Sequence, residues 1–89
     1  MKLAVEMAVM EMDGEYTAVA VGGDADRFRG MLRLNDSGAE ILQLLSEEIT
    51  EEELAEKLGA LYDESTPEEI AELVSGFLAR LRDEGLLAE

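Results

Sequence analysis

The hydrophobic period of this chain changes once, abruptly, at Asn35-Asp36-Ser37-Gly38, and that change restricts the fold more than any other feature of the sequence. Up to Leu34 the apolar residues Phe28, Leu32 and Leu34 share one parity while Arg27, Arg29 and Arg33 share the other, the alternation of a half-buried strand. From Gly38 onward Ile41, Leu42, Leu44 and Leu45 recur at helical spacing. Between the two patterns the side chain of Asn35, Asp36 or Ser37 can accept a bond from the first free N–H groups of a helix, and Ser37 with Glu40 has the spacing of a capping box. Strand before the break and helix after it is the arrangement this punctuation specifies.

The residues before the break divide into three strands. Leu3 to Met12 and Glu15 to Val21 are β-rich and separated by Asp13-Gly14, a dipeptide that tolerates the positive φ angles of a type I′ turn. With those two residues as the loop, Met12 faces Glu15, Met10 faces Thr17, Val9 faces Ala18, Ala8 faces Val19 and Met7 faces Ala20. Both faces of such a hairpin carry apolar side chains, one more set than the helices need, so a second contact surface or a homodimer is expected. Gly22-Gly23-Asp24-Ala25-Asp26 is a turn that returns the chain into a third strand, Arg27 to Leu34. Its two aspartates lack the further oxygen ligands and the closing glutamate of a calcium loop, and no metal site is expected there.

The residues after the break carry two further helix starts. Thr50 and Glu53 form a capping box with Ile49 and Leu54 at the staple positions, and Leu54, Leu58, Leu61 and Tyr62 make one stripe before the Asp63-Glu64-Ser65 loop. Glu51, Glu52 and Glu53 sit where a helix dipole favours anions, which makes them cap chemistry rather than metal ligands. Thr66, Pro67 and Glu69 start the third helix, and Ile70, Leu73, Val74, Phe77, Leu78 and Leu81 give it the broadest apolar face in the chain. Gly76 within it costs about 1 kcal/mol in propensity and points to close packing or to a groove at that place. Gly85 ends the helix, and Leu86-Leu87 folds back onto the core.

Length and composition limit what such a domain can do. Residues 1–89 make a single α+β domain, a three-stranded antiparallel β-meander followed by three helices, held by apolar burial because no cysteine is present to staple it. Histidine is absent too, which removes the commonest general bases, nucleophiles and transition-metal ligands together. The expectation is a non-catalytic protein without cofactor. Twenty-two acidic residues against seven basic ones give a formal charge of −15, a balance that repels nucleic-acid phosphate and anionic membranes. Protein partners and a cytoplasmic setting follow as expectations, and Glu6 interrupts any likeness of the first residues to a signal peptide.

The junction Leu32-Arg33-Leu34-Asn35-Asp36-Ser37-Gly38-Ala39-Glu40-Ile41-Leu42, followed by Thr50-x-x-Glu53-Leu54 and by Phe77-Leu78-x-x-Leu81-x-x-x-Gly85-Leu86-Leu87, resembles the PqqD family over nearly the whole chain. The resemblance implies a small winged-helix-like peptide chaperone, the recognition element for ribosomally made precursor peptides. Such a domain binds the leader segment and presents it to a modifying enzyme, often a radical SAM enzyme. It implies that the leader adds as a strand along the third strand, with side chains toward the third helix. Mapped onto this chain, the groove comprises Arg29, Met31, Leu32, Arg33 and Leu34 on the strand and Leu73, Phe77 and Arg80 on the helix. Ser46-Glu47-Glu48 departs from the family's usual Asp-Gly turn after the first helix.

The cations agree with this independently. Arg27, Arg29, Arg33, Arg80 and Arg82 lie on just two elements, and an edge strand flanked by cations would select an acidic extended segment. The bland alternative is that these arginines neutralise neighbouring glutamates. Two rival classes are weaker. An acyl or peptidyl carrier protein would be all-helical and would place leucine after its serine, where this chain has Gly38. A winged-helix DNA-binding regulator would have to overcome a charge of −15.

Overall fold

A computed structural model of the chain describes residues 1–24, 26 and 30–89. Among the described residues, four strands, three helices and a last strand follow one another: β1 Lys2–Leu3, β2 Met7–Met12, β3 Glu15–Ala20, β4 Met31–Leu34, α1 Asp36–Leu44, α2 Glu51–Leu61, α3 Pro67–Asp83 and β5 Leu87–Ala88. Strands β2, β3 and β4 form an antiparallel sheet in that order, and β1 pairs with β5 in a separate two-stranded ladder. The sheet and three helices enclose one core, and this is the α+β architecture expected from the order of the periodicities.

The hairpin follows its turn chemistry. Asp13 and Gly14 take φ values of 54° and 81°, and the pairs run from Met12 with Glu15 to Met7 with Ala20. Gly22–Asp24 forms a short 3-10 turn. The expected first strand, Leu3 to Met12, is in fact two. Residues 4–6 leave the sheet, Val5 turns into the core, and Leu3 pairs instead with Leu87 of the C-terminal β5. The physical reason lies in competing partners: the N–H groups of Leu3 and Ala4 donate to Leu45 and Leu86 carbonyls at 2.9 and 2.8 Å, so the backbone here ties the ends of α1 and α3 together. Of the expected third strand, Met31–Leu34 is strand, whereas Arg27, Phe28 and Arg29 lie outside the described residues.

The helix boundaries follow their caps, with one correction. Asn35, not a Ser37–Glu40 box, caps α1: its Oδ1 accepts from Gly38 N–H at 2.9 Å and from the Ser37 hydroxyl at 3.1 Å. Ser37 is thereby buried as a donor. Asn35 wins because it is the last extended residue and its short amide reaches the third helical N–H. Both other boxes close reciprocally, Thr50 with Glu53 and Thr66 with Glu69. Gly85, at φ 71°, ends α3 with paired bonds from Gly85 N–H to the Arg82 carbonyl and from Leu86 N–H to the Leu81 carbonyl.

Burial separates the apolar faces into core and surplus. Ile41, Leu42 and Leu45 after the junction, Leu54 and Leu58 of α2, and Ile70, Val74, Leu78 and Leu81 of α3 are buried. Leu61 does not join its stripe and is exposed, because α2 ends there and only Tyr62 turns inward. On α3, Leu73 and Phe77 are left partly exposed beside the fully packed row. These two side chains are more than the core requires.

Candidate functional site

The site is built on the free edge of β4. Which backbone groups face outward there follows from the pairing. Val21 N–H donates to the Glu6 carbonyl at 2.9 Å, so in the continuing ladder Thr17 and Val19 bond toward β2 while Tyr16 and Ala18 turn toward β4. Their opposite numbers, Leu34 and Leu32, bond back to β3. Met31 and Arg33 are then the residues whose N–H and carbonyl groups point away from the sheet. An independent contact agrees: Arg80 Nη1 lies 3.4 Å from the Arg33 carbonyl oxygen, reaching it from α3.

Side chains alternate with the same period. Leu32 and Leu34 are buried in the core, at 3% and 8% exposure, so with their backbone turned to β3 they support the edge from beneath rather than face the groove. Met31 and Arg33 lie exposed on the opposite face of the sheet. That outer face also carries Met10 and Met12, which are exposed, and Val19, which is partly buried. An outer face lined by methionine is adaptable apolar surface.

Across from β4, helix α3 supplies the other wall. Leu73, Phe77 and Arg80, with Gly76 between them, border a cavity of about 320 Å³ whose far side is Asn35, Ser37, Gly38 and Ile41 at the start of α1. The junction glycine is explained here. A Cβ on Gly38 would come within 3.2 Å of Phe77 Cε1 and of Asn35 Oδ1 and 3.4 Å of Leu34 Cδ2, so a side chain here would press the Phe77 ring or the Asn35 cap outward, and glycine lets the ring settle against the α1 cap without that shift. Gly76 is the reverse case. A Cβ there would meet nothing within 4 Å, so of the two readings its place in the helix allowed, the groove is the one observed.

The arginines divide. Arg82 is engaged in a two-point pair with Glu89, Nε to Oε2 at 3.0 Å and Nη2 to Oε1 at 2.8 Å. That contact holds the Glu89 carboxyl below its ordinary value and raises Arg82. For Arg82 the neutralising alternative is therefore correct. Arg33 and Arg80 make no ion pair among the described residues, despite the surplus of carboxylates in the chain. Arg29 lies outside the described residues. The structure thus brings Leu73, Phe77 and Arg80 together around one cavity and joins it to β4 through the Arg80–Arg33 contact, while Met31 lies exposed two residues away on the strand and Leu32 and Leu34 belong to the core. Sequence reasoning missed Gly38, Asn35 and Ile41 as parts of that groove, although the Asn-x-x-Gly spacing at the period change marked two of them.

Comparison with known proteins bears on the fold and the family. Two solved structures share the fold: "TbiB1 in complex with the TbiA(beta) leader peptide", at 21% identity and TM-score 0.73 with all of both chains covered, and "Lasso peptide synthetase B1 complexed with the leader peptide", at 20% identity and TM-score 0.69 over 99% of this chain and 96% of that one. No curated protein matches the chain. The family described as coenzyme PQQ synthesis protein D matches residues 6–87, from the hairpin through the α3 cap to β5, and the chain belongs to this PqqD family.

Proposed function

We propose that this domain binds the leader segment of a ribosomally made precursor peptide by strand addition to β4 and presents it to a modifying enzyme. The observation that carries the reading is the β4 edge. Its outward backbone groups are at Met31 and Arg33, and the Arg33 carbonyl meets Arg80, which shares a cavity with the exposed Leu73 and the half-buried Phe77 ring; among the described residues neither arginine has a carboxylate partner. An added strand satisfies the backbone groups, apolar side chains of the peptide cover Leu73 and Phe77, and peptide carboxylates meet Arg33 and Arg80. Membership of the PqqD family supports the same reading, as do two structural neighbours that are complexes with leader peptides.

In the free domain Arg80 occupies the Arg33 carbonyl, which blunts the edge against indiscriminate pairing. At 3.4 Å on the surface this bond is weak, so an incoming peptide N–H replaces it at little cost. The domain is a binding partner and not a catalyst. With neither His nor Cys, its carboxylates serve as caps at Glu53 and Glu69. The reading extends to a cytoplasmic setting and to a modifying enzyme of the radical SAM class. The methionine-lined outer sheet face supports contact with that enzyme. A homodimer through the same face is the second reading, favoured by the exposure of Met10, Met12 and Met31 and opposed by a charge of −15 on each copy. Sedimentation giving a monomer mass at every concentration removes it.

The test uses synthetic leader segments from short peptide genes beside the gene for this chain, titrated into the ¹⁵N-labelled domain. Micromolar or tighter binding that shifts the Met31, Arg33, Gly76 and Phe77 amides is expected. Failure of every neighbouring leader to bind overturns the proposal.

A further inference from the structure

The groove beside α3 continues past Leu73. Its cavity shares Asn35, Ser37 and Leu73 with a second depression of about 350 Å³, which carries Tyr62 and Ile70 on one side and Asp36 on the other and reaches the hairpin turn at Gly14. Leu73, 38% exposed, is the saddle between the two. Two contacts fix direction along this path: Arg80 meets Arg33 at one end, and Ile70 and Leu73 meet the start of α1 at the other. Ten helical residues separate Ile70 from Arg80, about 15 Å, which an extended peptide spans in roughly four to five residues.

Charge changes sign along the same path. Arg33 and Arg80 mark one end, and Glu72 stands beside Leu73 on the way to the other. At that other end Asp36 lines the depression, and its carboxylate and that of Glu40 on the same helix act on two phenols: the pKa of Tyr62 is raised by burial and then by both carboxylates, and that of Tyr16 by Glu11 first, then by burial and the same pair. Tyr62 is only half buried, so its ring offers an apolar surface next to anionic groups. An arginine or lysine suits such a place, with its methylene stem on the ring and its charge toward the carboxylates.

We propose that this second depression is a subsite for a basic side chain of the bound peptide, seated between Tyr62 and Asp36, so that the groove reads the peptide's direction as well as its composition. The inference rests on the peptide-binding reading above. Every pairing in the sheet is antiparallel, and a peptide continuing it antiparallel to β4 runs from the acidic end of the groove to the arginine end. Its recognition pattern is then a basic residue followed, about four to five positions later, by an acidic one.

A random twelve-residue peptide library, displayed and selected on the intact domain, tests this. Enrichment of a basic residue four to five positions before an acidic one is expected on the natural sequence. Selection on the Asp36→Asn, Glu40→Gln double variant should keep the acidic preference and lose the basic one. A synthetic peptide from the enriched pool, compared with its own basic→Gln analogue, should bind the natural domain at least fivefold more tightly at low salt and the double variant equally well. Acid-rich binders with no basic position, enrichment of both orders alike, or a basic preference that survives in the double variant each overturn the subsite while leaving peptide binding intact. No enrichment of any peptide overturns the underlying reading and the subsite with it.

Discussion

The central sheet has two edges, and they differ in what stands beside them. Strand β2 is six residues long and borders a cavity of about 520 Å³ between Lys2–Met7, Val9 and the Leu42–Gln43 turn of α1. Strand β4 has four residues and a smaller cavity. Size alone would favour β2. Beside β2, however, the chain supplies its own neighbour: β1 and residues 4–6 pass along the cavity with the Leu3 and Ala4 N–H groups already given to Leu45 and Leu86. Among the described residues, this cavity is lined without an aromatic ring or an arginine. Next to β4, where Arg80 meets Arg33, stand Phe77 and Leu73, and neither arginine makes an ion pair among the described residues. The proposed peptide edge is therefore argued not from volume but from the Arg33–Arg80 contact and the exposed Leu73 and half-buried Phe77 next to it.

The largest effect expected from this comparison comes from proline placed at each edge in turn. Met31→Pro removes an outward donor of β4, and leader affinity should fall at least about tenfold, the loss of one well-placed backbone bond together with local distortion. Glu11→Pro removes the corresponding outward donor of β2 and should leave affinity within about twofold. Calorimetry on both, with circular dichroism to verify the fold, decides between the edges; equal losses would mean that the peptide does not discriminate them.

Charge reversal sharpens the contrast. Arg33→Glu or Arg80→Glu should weaken leader binding by several-fold, chiefly by slowing association, and should flatten its dependence on salt. Lys2→Glu, beside the β2 cavity, should change neither. Surface plasmon resonance between low and physiological salt measures both quantities. An unchanged salt slope in Arg33→Glu would leave the arginines without a role in peptide selection.

Gly76→Ala separates stability from binding. Because a Cβ there meets open space, the variant should gain about 0.5–1 kcal/mol in helix stability. The new methyl group intrudes on the groove, so leader affinity should fall a few-fold. A matching change at Gly38 meets Phe77 and the Asn35 cap instead and should not stabilise. Urea denaturation and titration calorimetry together read the opposed signs.

The smallest effect lies away from both edges. Hydrogen bonds from Thr50 hold the Glu53 carboxyl below its ordinary value of 4.5. A carboxyl depressed in the folded state contributes stability that is complete above the unfolded value and is lost as pH falls through the folded one. The advantage of the natural chain over Glu53→Ala should therefore shrink on acidification below about 4.5, as thermal melts at stepped pH would report, with leader affinity at neutral pH unaffected by the substitution.

Local chemistry made most of the fold legible. The Asp13-Gly14 turn set the hairpin register residue by residue, because a two-residue loop leaves no freedom in pairing. Thr50 and Thr66 announced their helices for the same reason: each box is complete within four residues. What stayed hidden depended on distant segments. The break after Leu3 is imposed by Leu45, Leu86 and Leu87, none of which a strand periodicity can sense. The site was legible in part. The broad apolar face of α3 read as core, and only the resemblance to the PqqD family singled out Leu73 and Phe77 as groove residues, while parity in β4 gives Leu32 and Leu34 to the core. The separation of Arg82 from Arg80 needed the position of Glu89.

The most direct test of strand addition at β4 is amide protection. Hydrogen exchange followed by NMR, with and without a bound leader, should show the Met31 and Arg33 amides slowed by an order of magnitude or more, while Met7, Val9 and Glu11 on the β2 edge exchange as before. Protection of the β2 amides with Met31 and Arg33 unchanged would contradict the account, placing the peptide on the opposite edge of the sheet.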